Sequence, residues 1–150
     1  MDQSALPTKT DEMFCHAIYS TWHVVNRSYK RHLSKLGLTY PQYITLRLLW
    51  ENDGRNVGDL ASSLSMETST LTPLLKRLEL QGFVARVRSK KDERQVVVSL
   101  TPKGRDLESQ AGAITACMIR DTALRTKELE QMVKTLERLR AGLSNVPPAL

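Results

Sequence analysis

Residues 56–101 read NVGDLASSLSMETSTLTPLLKRLELQGFVARVRSKKDERQVVVSLT, and this stretch decides the fold. Val57, Leu60, Ala61 and Leu64 fall at i, i+3, i+4 and i+7, the apolar face of a short helix. Ser65-Met66-Glu67 makes a turn. Leu71, Leu74, Leu75 and Leu78 repeat the same spacing in a second helix, expected to begin near Thr68 as its N-cap. Gly82 ends that helix as a glycine just past its last turn. Two β-rich runs follow, 83–89 and 95–100, around the charged tip Lys90-Lys91-Asp92-Glu93-Arg94. Helix, turn, helix and two-stranded ribbon make a winged helix-turn-helix, a unit that reads DNA.

In the second helix the face opposite the leucines centres on Ser69, Pro73 and Lys76, flanked by Thr70, Thr72 and Arg77. Hydroxyls near its leading end can bond bases or phosphates, and the cations further along can neutralise phosphate. Pro73 removes an interior N–H, which costs about 3 kcal/mol in an ordinary helix. In the ribbon, Arg86 and Arg88 share one face. Lys90, Lys91 and Arg94 at the tip can reach phosphates or enter a minor groove. Asp92 would repel phosphate and is expected to pair with Arg94 and hold it in place.

Charge supports this reading more strongly than either motif. Residues 76–105 hold nine Lys and Arg against three Asp and Glu, a balance of +6, which equals the formal net charge of the whole chain. The positive charge is therefore local, as a DNA footprint requires.

A length of 150 residues with 41% hydrophobic content suits one domain, or one domain plus oligomerisation elements. There is no apolar run long enough to span a membrane. The start, MDQSALPTKTDE, lacks the basic and apolar regions of a signal peptide, so a cytoplasmic protein is expected. Two cysteines 102 positions apart do not make a disulfide framework in a reducing compartment. The three histidines, His16, His23 and His32, form no metal-binding pattern, and no cofactor or metal is expected. Catalytic serine motifs and Gly-rich phosphate loops are absent from the sequence.

Outward from the winged unit, residues 1–9 are expected to be loose. A long helix is expected over 10–35 with two stripes. One holds Phe14, Ala17, Ile18, Thr21, Val24, Val25 and Ser28. The other holds Cys15, Tyr19, Trp22, Asn26, Tyr29, Leu33 and Leu36 at alternating spacings of four and three, a heptad seam. A helix apolar on two sides needs two covers, its own domain and, most simply, a partner subunit. Thr39-Tyr40-Pro41-Gln42 reads as a capping box opening a helix to Glu51, with Ile44, Leu48 and Leu49 inward. Asn52-Asp53-Gly54 is a turn. After the ribbon, Thr101-Pro102 restarts helix, with Leu107, Ala111, Ile114 and Met118 as its apolar stripe. A break near Arg125-Thr126 precedes a last helix carrying Leu129, Met132, Val133, Leu136, Leu139 and Leu143, and 144–148 form a frayed tail. The expected architecture is mainly α with a small β-hairpin wing. It is one domain, in which helices at 10–36 and 102–143 form the dimerisation region around a winged unit at 39–101.

Several segments carry a family resemblance: Phe14-Cys15 with Tyr19-Ser20, LGLTYPQY (36–43), LTPLLKRLE (71–79) and RSKKDERQVVVSLTPKGR (88–105). Through them the chain resembles the MarR family of winged-helix regulators over nearly its whole length. Cys15 with Tyr29 and Tyr40 resembles more narrowly the OhrR subgroup, which senses organic hydroperoxides. The resemblance implies that Cys15 is the peroxide sensor and that Tyr29 and Tyr40 of the partner subunit hydrogen-bond it. Cys117 suggests the two-cysteine version, in which a second cysteine closes an intersubunit disulfide with the oxidised sensor.

The residues agree with this. Cys15 lies near a helix N-terminus, where the dipole favours a thiolate, although Asp11 one turn earlier opposes it. Tyr19 is on the same face at i+4. Tyr29 is 14 residues on, about 21 Å along a straight helix, so it cannot reach its own Cys15 but could reach a partner's if the two helices run antiparallel. The implied function is a homodimeric repressor of near-palindromic operator DNA, released by organic hydroperoxide. Two alternatives stand beside it: a repressor released by a small aromatic ligand between the helical and winged regions, and a thiol peroxidase using Cys15.

Overall fold

The computed structural model describes residues 9–145. The first eight residues and the Val146-Pro147-Pro148 part of the expected tail lie outside the described residues. The elements run α1 (Phe14–Leu33), α2 (Tyr40–Glu51), β1 (Arg55–Asn56), α3 (Val57–Leu64), α4 (Thr68–Leu80), β2 (Val84–Arg88), β3 (Val96–Leu100), α5 (Pro102–Asp121) and α6 (Thr126–Ser144). Packing divides the chain into two compact units, 9–114 and 115–145. The boundary falls within α5.

The first helix starts later than its stripes suggest. Thr10–Glu12 form a 3-10 turn, and Met13 is extended (φ −83°, ψ 120°), so α1 begins at Phe14. Only the C-terminal part of α1 is covered by its own unit. Leu33 is fully buried and Val25, Ser28 and Tyr29 are half-buried, whereas Phe14, Ile18, Tyr19, Trp22 and Val24 are exposed. The expected capping box opens α2. Thr39 N–H donates to Gln42 Oε1 at 2.9 Å, and Gln42 N–H donates to Thr39 Oγ1 at 3.4 Å.

The inward face of α2 differs from expectation. Its buried residues are Gln42, Tyr43, Thr45, Leu46 and Leu49, while Ile44 and Leu48 are half-exposed. At about 100° per residue these last two lie on the far side of the helix. The buried arc holds two polar side chains, which hides it from a search for apolar spacing. Burial is tolerated because each is bonded locally, Thr45 Oγ1 to Pro41 O at 2.7 Å and Gln42 through the cap.

The wing is also larger than a hairpin. β2 pairs antiparallel with β3 from Val84↔Leu100 to Arg88↔Val96, and β1 adds a third strand through Arg55↔Val98 and Asn56↔Val97, in the order β1-β3-β2. A two-residue strand has no periodicity to detect. Asp53 secures it. Its Oδ1 accepts Gly54 N–H and Leu100 N–H, each at 2.8 Å, and its Oδ2 meets the Arg105 guanidinium at 3.0 Å.

The core of this unit is Leu33, Leu46, Leu49, Leu60, Leu71, Leu75, Leu78, Val84 and Val98. Leu107, Ala111, Ile114 and Met118 are all buried along α5, as their spacing predicts. Gly104 sits against the α4–β2 junction. A Cβ there would collide with the Phe83 carbonyl, so only glycine allows this approach. The last unit carries α6, whose Met132, Val133, Leu136 and Leu143 are exposed.

Candidate DNA interface and thiol site

α4 is preceded by Glu67 as its N-cap, without a side-chain cap, so Thr68 is the first helical residue rather than the cap. The helix continues through Pro73 to Leu80. Leu71, Leu75 and Leu78 are buried, while Ser69, Thr70, Pro73, Lys76 and Arg77 are exposed on the opposite side, as the spacing requires. The Thr72 hydroxyl is less available than expected, because it donates back to Thr68 O at 2.8 Å. At the far end, Gly82 (φ +79°) and Phe83 donate to Glu79 O and Leu78 O, which fixes the exit toward the wing.

The wing tip is an ordered turn. Ser89 N–H donates to Gln95 O at 2.8 Å, and Ser89 Oγ accepts from Lys91 N–H and Asp92 N–H. Asp92 holds Arg94 through the backbone: its Oδ1 accepts Arg94 N–H at 3.0 Å. The expected side-chain ion pair between them does not form, which leaves the Arg94 guanidinium to point elsewhere.

Three of the nine cations are engaged within the protein. Arg86 binds Glu79 with Nε and Nη2 on one carboxylate oxygen, at 2.9 and 2.7 Å. This side-chain bond holds the Glu79 carboxyl below the usual carboxylate range. Lys103 Nζ donates to Gln81 O at 2.7 Å, at the end of α4, and Arg105 pairs with Asp53. Of the nine cations, those exposed and without such a partner are therefore Lys76 and Arg77 on α4 and Arg88, Lys90, Lys91 and Arg94 on the wing. A cavity of about 450 Å³ lies between the two, bounded by Thr68, Thr72 and Leu75 of α4, Asn56, and Arg86 and Arg94 of the wing.

In the same unit, Tyr29 of α1 and Tyr40 of α2 stand with ring centroids 4.6 Å apart. Trp22 packs on Tyr40 at 5.0 Å, and Tyr43 lies within 5.8 Å of Tyr29. Burial, reinforced by Tyr40 and Tyr43, pushes the Tyr29 phenol up to about 12, and burial raises Tyr40 as well. Both stay protonated at neutral pH, so each hydroxyl is able to donate. Tyr19 is not part of this group; its ring meets His23 at 4.4 Å.

Cys15 occupies the second position of α1, exposed, and its thiol is free. The unbroken helix between Cys15 and Tyr29 keeps them about 21 Å apart within one chain. Cys117, on α5 in the second unit, is half-buried and also free. The aromatic neighbours of the tyrosine pair and the Glu79–Arg86 bond were not apparent in the sequence. They join residues of different elements or of opposite charge, with no local pattern.

A recognition helix with hydroxyls and cations outward, followed by a basic wing, defines a winged-helix DNA-binding regulator. The chain belongs to the family described as transcriptional regulator SarA/Rot, whose model matches residues 27–111, and its fold is that of MarR-type regulators. It is 38% identical to the HTH-type transcriptional regulator TtmR of Methylorubrum extorquens (strain PA1), over 95% of this chain and 76% of that one. It is 37% identical to the organic hydroperoxide resistance transcriptional regulator of Bacillus subtilis (strain 168), over 85% and 87% respectively. Reduced AbfR bound to DNA, a protein of Staphylococcus epidermidis, superposes with a TM-score of 0.74 at 29% identity, covering 86% of this chain and 89% of that one. No helix among the described residues is long and apolar enough to cross a membrane.

Proposed function

We propose that this regulator is a homodimeric, cytoplasmic repressor that holds a near-palindromic operator when reduced and leaves it when organic hydroperoxide oxidises Cys15. The observation that carries the reading is the split between thiol and phenols. Cys15 is exposed at the start of α1, and Tyr29, paired with Tyr40 of α2, stands about 21 Å further along the same helix, out of its own reach. Antiparallel α1 helices in a dimer would bring each thiol to the other subunit's phenols. Exposed Phe14, Ile18, Trp22 and Val24 on α1, and Met132, Val133 and Leu136 on α6, give such a dimer its apolar surface. The identity with a hydroperoxide resistance regulator supports the same inducer.

The chemistry balances. The Cys15 thiolate attacks the peroxide O–O bond, gains one oxygen as sulfenic acid and releases the alcohol. The thiol of the partner subunit's Cys117 then attacks the sulfenic sulfur, forming a disulfide and expelling water. A disulfide needs Cα atoms within about 7 Å, so its closure would fix α1 of one subunit against α5 of the other. Non-reducing electrophoresis after cumene hydroperoxide treatment should show a covalent dimer, absent in Cys117→Ser and reversed by dithiothreitol. A monomeric band with reversible release from DNA would assign the switch to Cys15 alone.

The cavity between α4 and the wing favours a second reading, release by a small aromatic ligand, since about 450 Å³ lies within the range of small-molecule sites. Release of Cys15→Ser from the operator by such a ligand, with no response to hydroperoxide in wild type, would select it.

A further inference from the structure

The carboxyl end of the recognition helix is tied to the tyrosine pair's corner by two amides. Gly37 ends the turn after α1 at φ +67°, and Thr39 caps α2 two residues later, immediately before Tyr40. Gln81, the C-cap residue that follows α4, sends its Nε2 to Gly37 O at 2.8 Å. Its Oε1 accepts from Gln42 Nε2 at 3.3 Å, and Gln42 Oε1 accepts Thr39 N–H at 2.9 Å. The backbone carbonyl of Gln81 meanwhile accepts Lys103 Nζ of α5. Gln42 is only 6% exposed, and both ends of its amide are engaged in this chain of bonds.

We propose that the Gln42–Gln81 amide pair is the element that couples the Tyr29/Tyr40 corner to α4, with Gln81 as a positioning residue for the DNA-reading helix. The α1–α2 corner can shift along several directions, but two bonds from one side chain make α4 follow Gly37 and Gln42 together, and Gln42 holds Thr39. The close-packed leucines of α4 also transmit strain, but their contacts have no direction. Amide bonds have fixed geometry and break or move as a unit. The direction of the signal rests on the redox reading; the coupling itself does not.

The test is a double-mutant cycle on operator affinity in the reduced homodimer, combining Tyr40→Ala with Gln81→Met, and with Gln81→Glu as the variant that keeps the shape and loses the donor. Tyr40→Ala alone should weaken operator binding. In the Gln81→Met or Gln81→Glu background that effect should shrink by about fivefold or more, the lower end of typical coupling between sites. A merely structural Gln81 would lower the melting temperature and leave the two effects multiplicative. Multiplicative effects, or an operator affinity indifferent to Tyr40→Ala, would overturn the proposal. Hydroperoxide treatment of the same proteins separates the two claims. If wild type is not released, the redox reading fails while the cycle still decides the coupling.

Discussion

The rings of Tyr29 and Tyr40 lie 4.6 Å apart across the α1–α2 corner, and burial raises the pKa of both phenols. A phenol that keeps its proton can only donate to a thiolate, never compete with it for a proton. Tyr29→Phe and Tyr40→Phe should therefore retain operator binding but slow the reaction of Cys15 with cumene hydroperoxide. Loss of one donor to a charged sulfur corresponds to about tenfold each. Stopped-flow thiol consumption measures it, and unchanged rates in both variants would remove the phenols from the sensor.

The same burial sets an alkaline limit. The folded Tyr29 phenol titrates at about 12 against an ordinary value of 10.0. Between these values the unfolded chain has lost a proton that the folded chain keeps, so stability falls as pH rises. Below pH 10 this contribution is fully present. Urea midpoints should decline from pH 10 upward in wild type, and decline less in Tyr29→Phe.

Arg86 and Arg94 border one cavity but serve different ends. Arg94→Ala should leave the melting temperature unchanged and lower the salt slope of operator binding by about one phosphate contact. Arg86→Ala should lower the melting temperature, since it strips Glu79 of its partner. Because the bound Glu79 carboxyl is lowered from 4.5, its contribution is present above that value and lost as pH falls through the bound one. Melting curves in acid should accordingly converge for wild type and Arg86→Ala.

Much of this was legible in the sequence. The periodic leucines of α3 and α4, Gly82, the Thr39 box and the stripe of α5 each agree with a local rule that the tertiary structure also obeys. What escaped was non-local or polar. The buried face of α2 contains Gln42 and Thr45, whose burial depends on bonds that hydropathy does not register. Arg86, Lys103 and Arg105 counted as a DNA footprint by charge alone, yet each has an internal partner. β1 exists because Asp53 fastens a turn to a strand more than forty residues away.

Asp53 is accordingly the side chain whose loss should most disturb the wing. Asp53→Ala leaves the N–H of buried Leu100 without its acceptor, at a cost of about 1–3 kcal/mol, and releases Arg105. Chemical denaturation should show that loss. Hydrogen exchange at Leu100 should rise specifically, and protection equal to wild type there would mean that the β1–β3 pairing does not depend on Asp53.

The central claim is that Cys15 converts peroxide into release of DNA, and the most direct measurement is an operator titration of wild type and Cys15→Ser, each reduced and after cumene hydroperoxide. Wild type should lose at least about tenfold in affinity, the scale of ordinary coupling between sites, and recover with dithiothreitol. Cys15→Ser should bind with unchanged affinity in both states. Release of Cys15→Ser as readily as wild type would contradict the account.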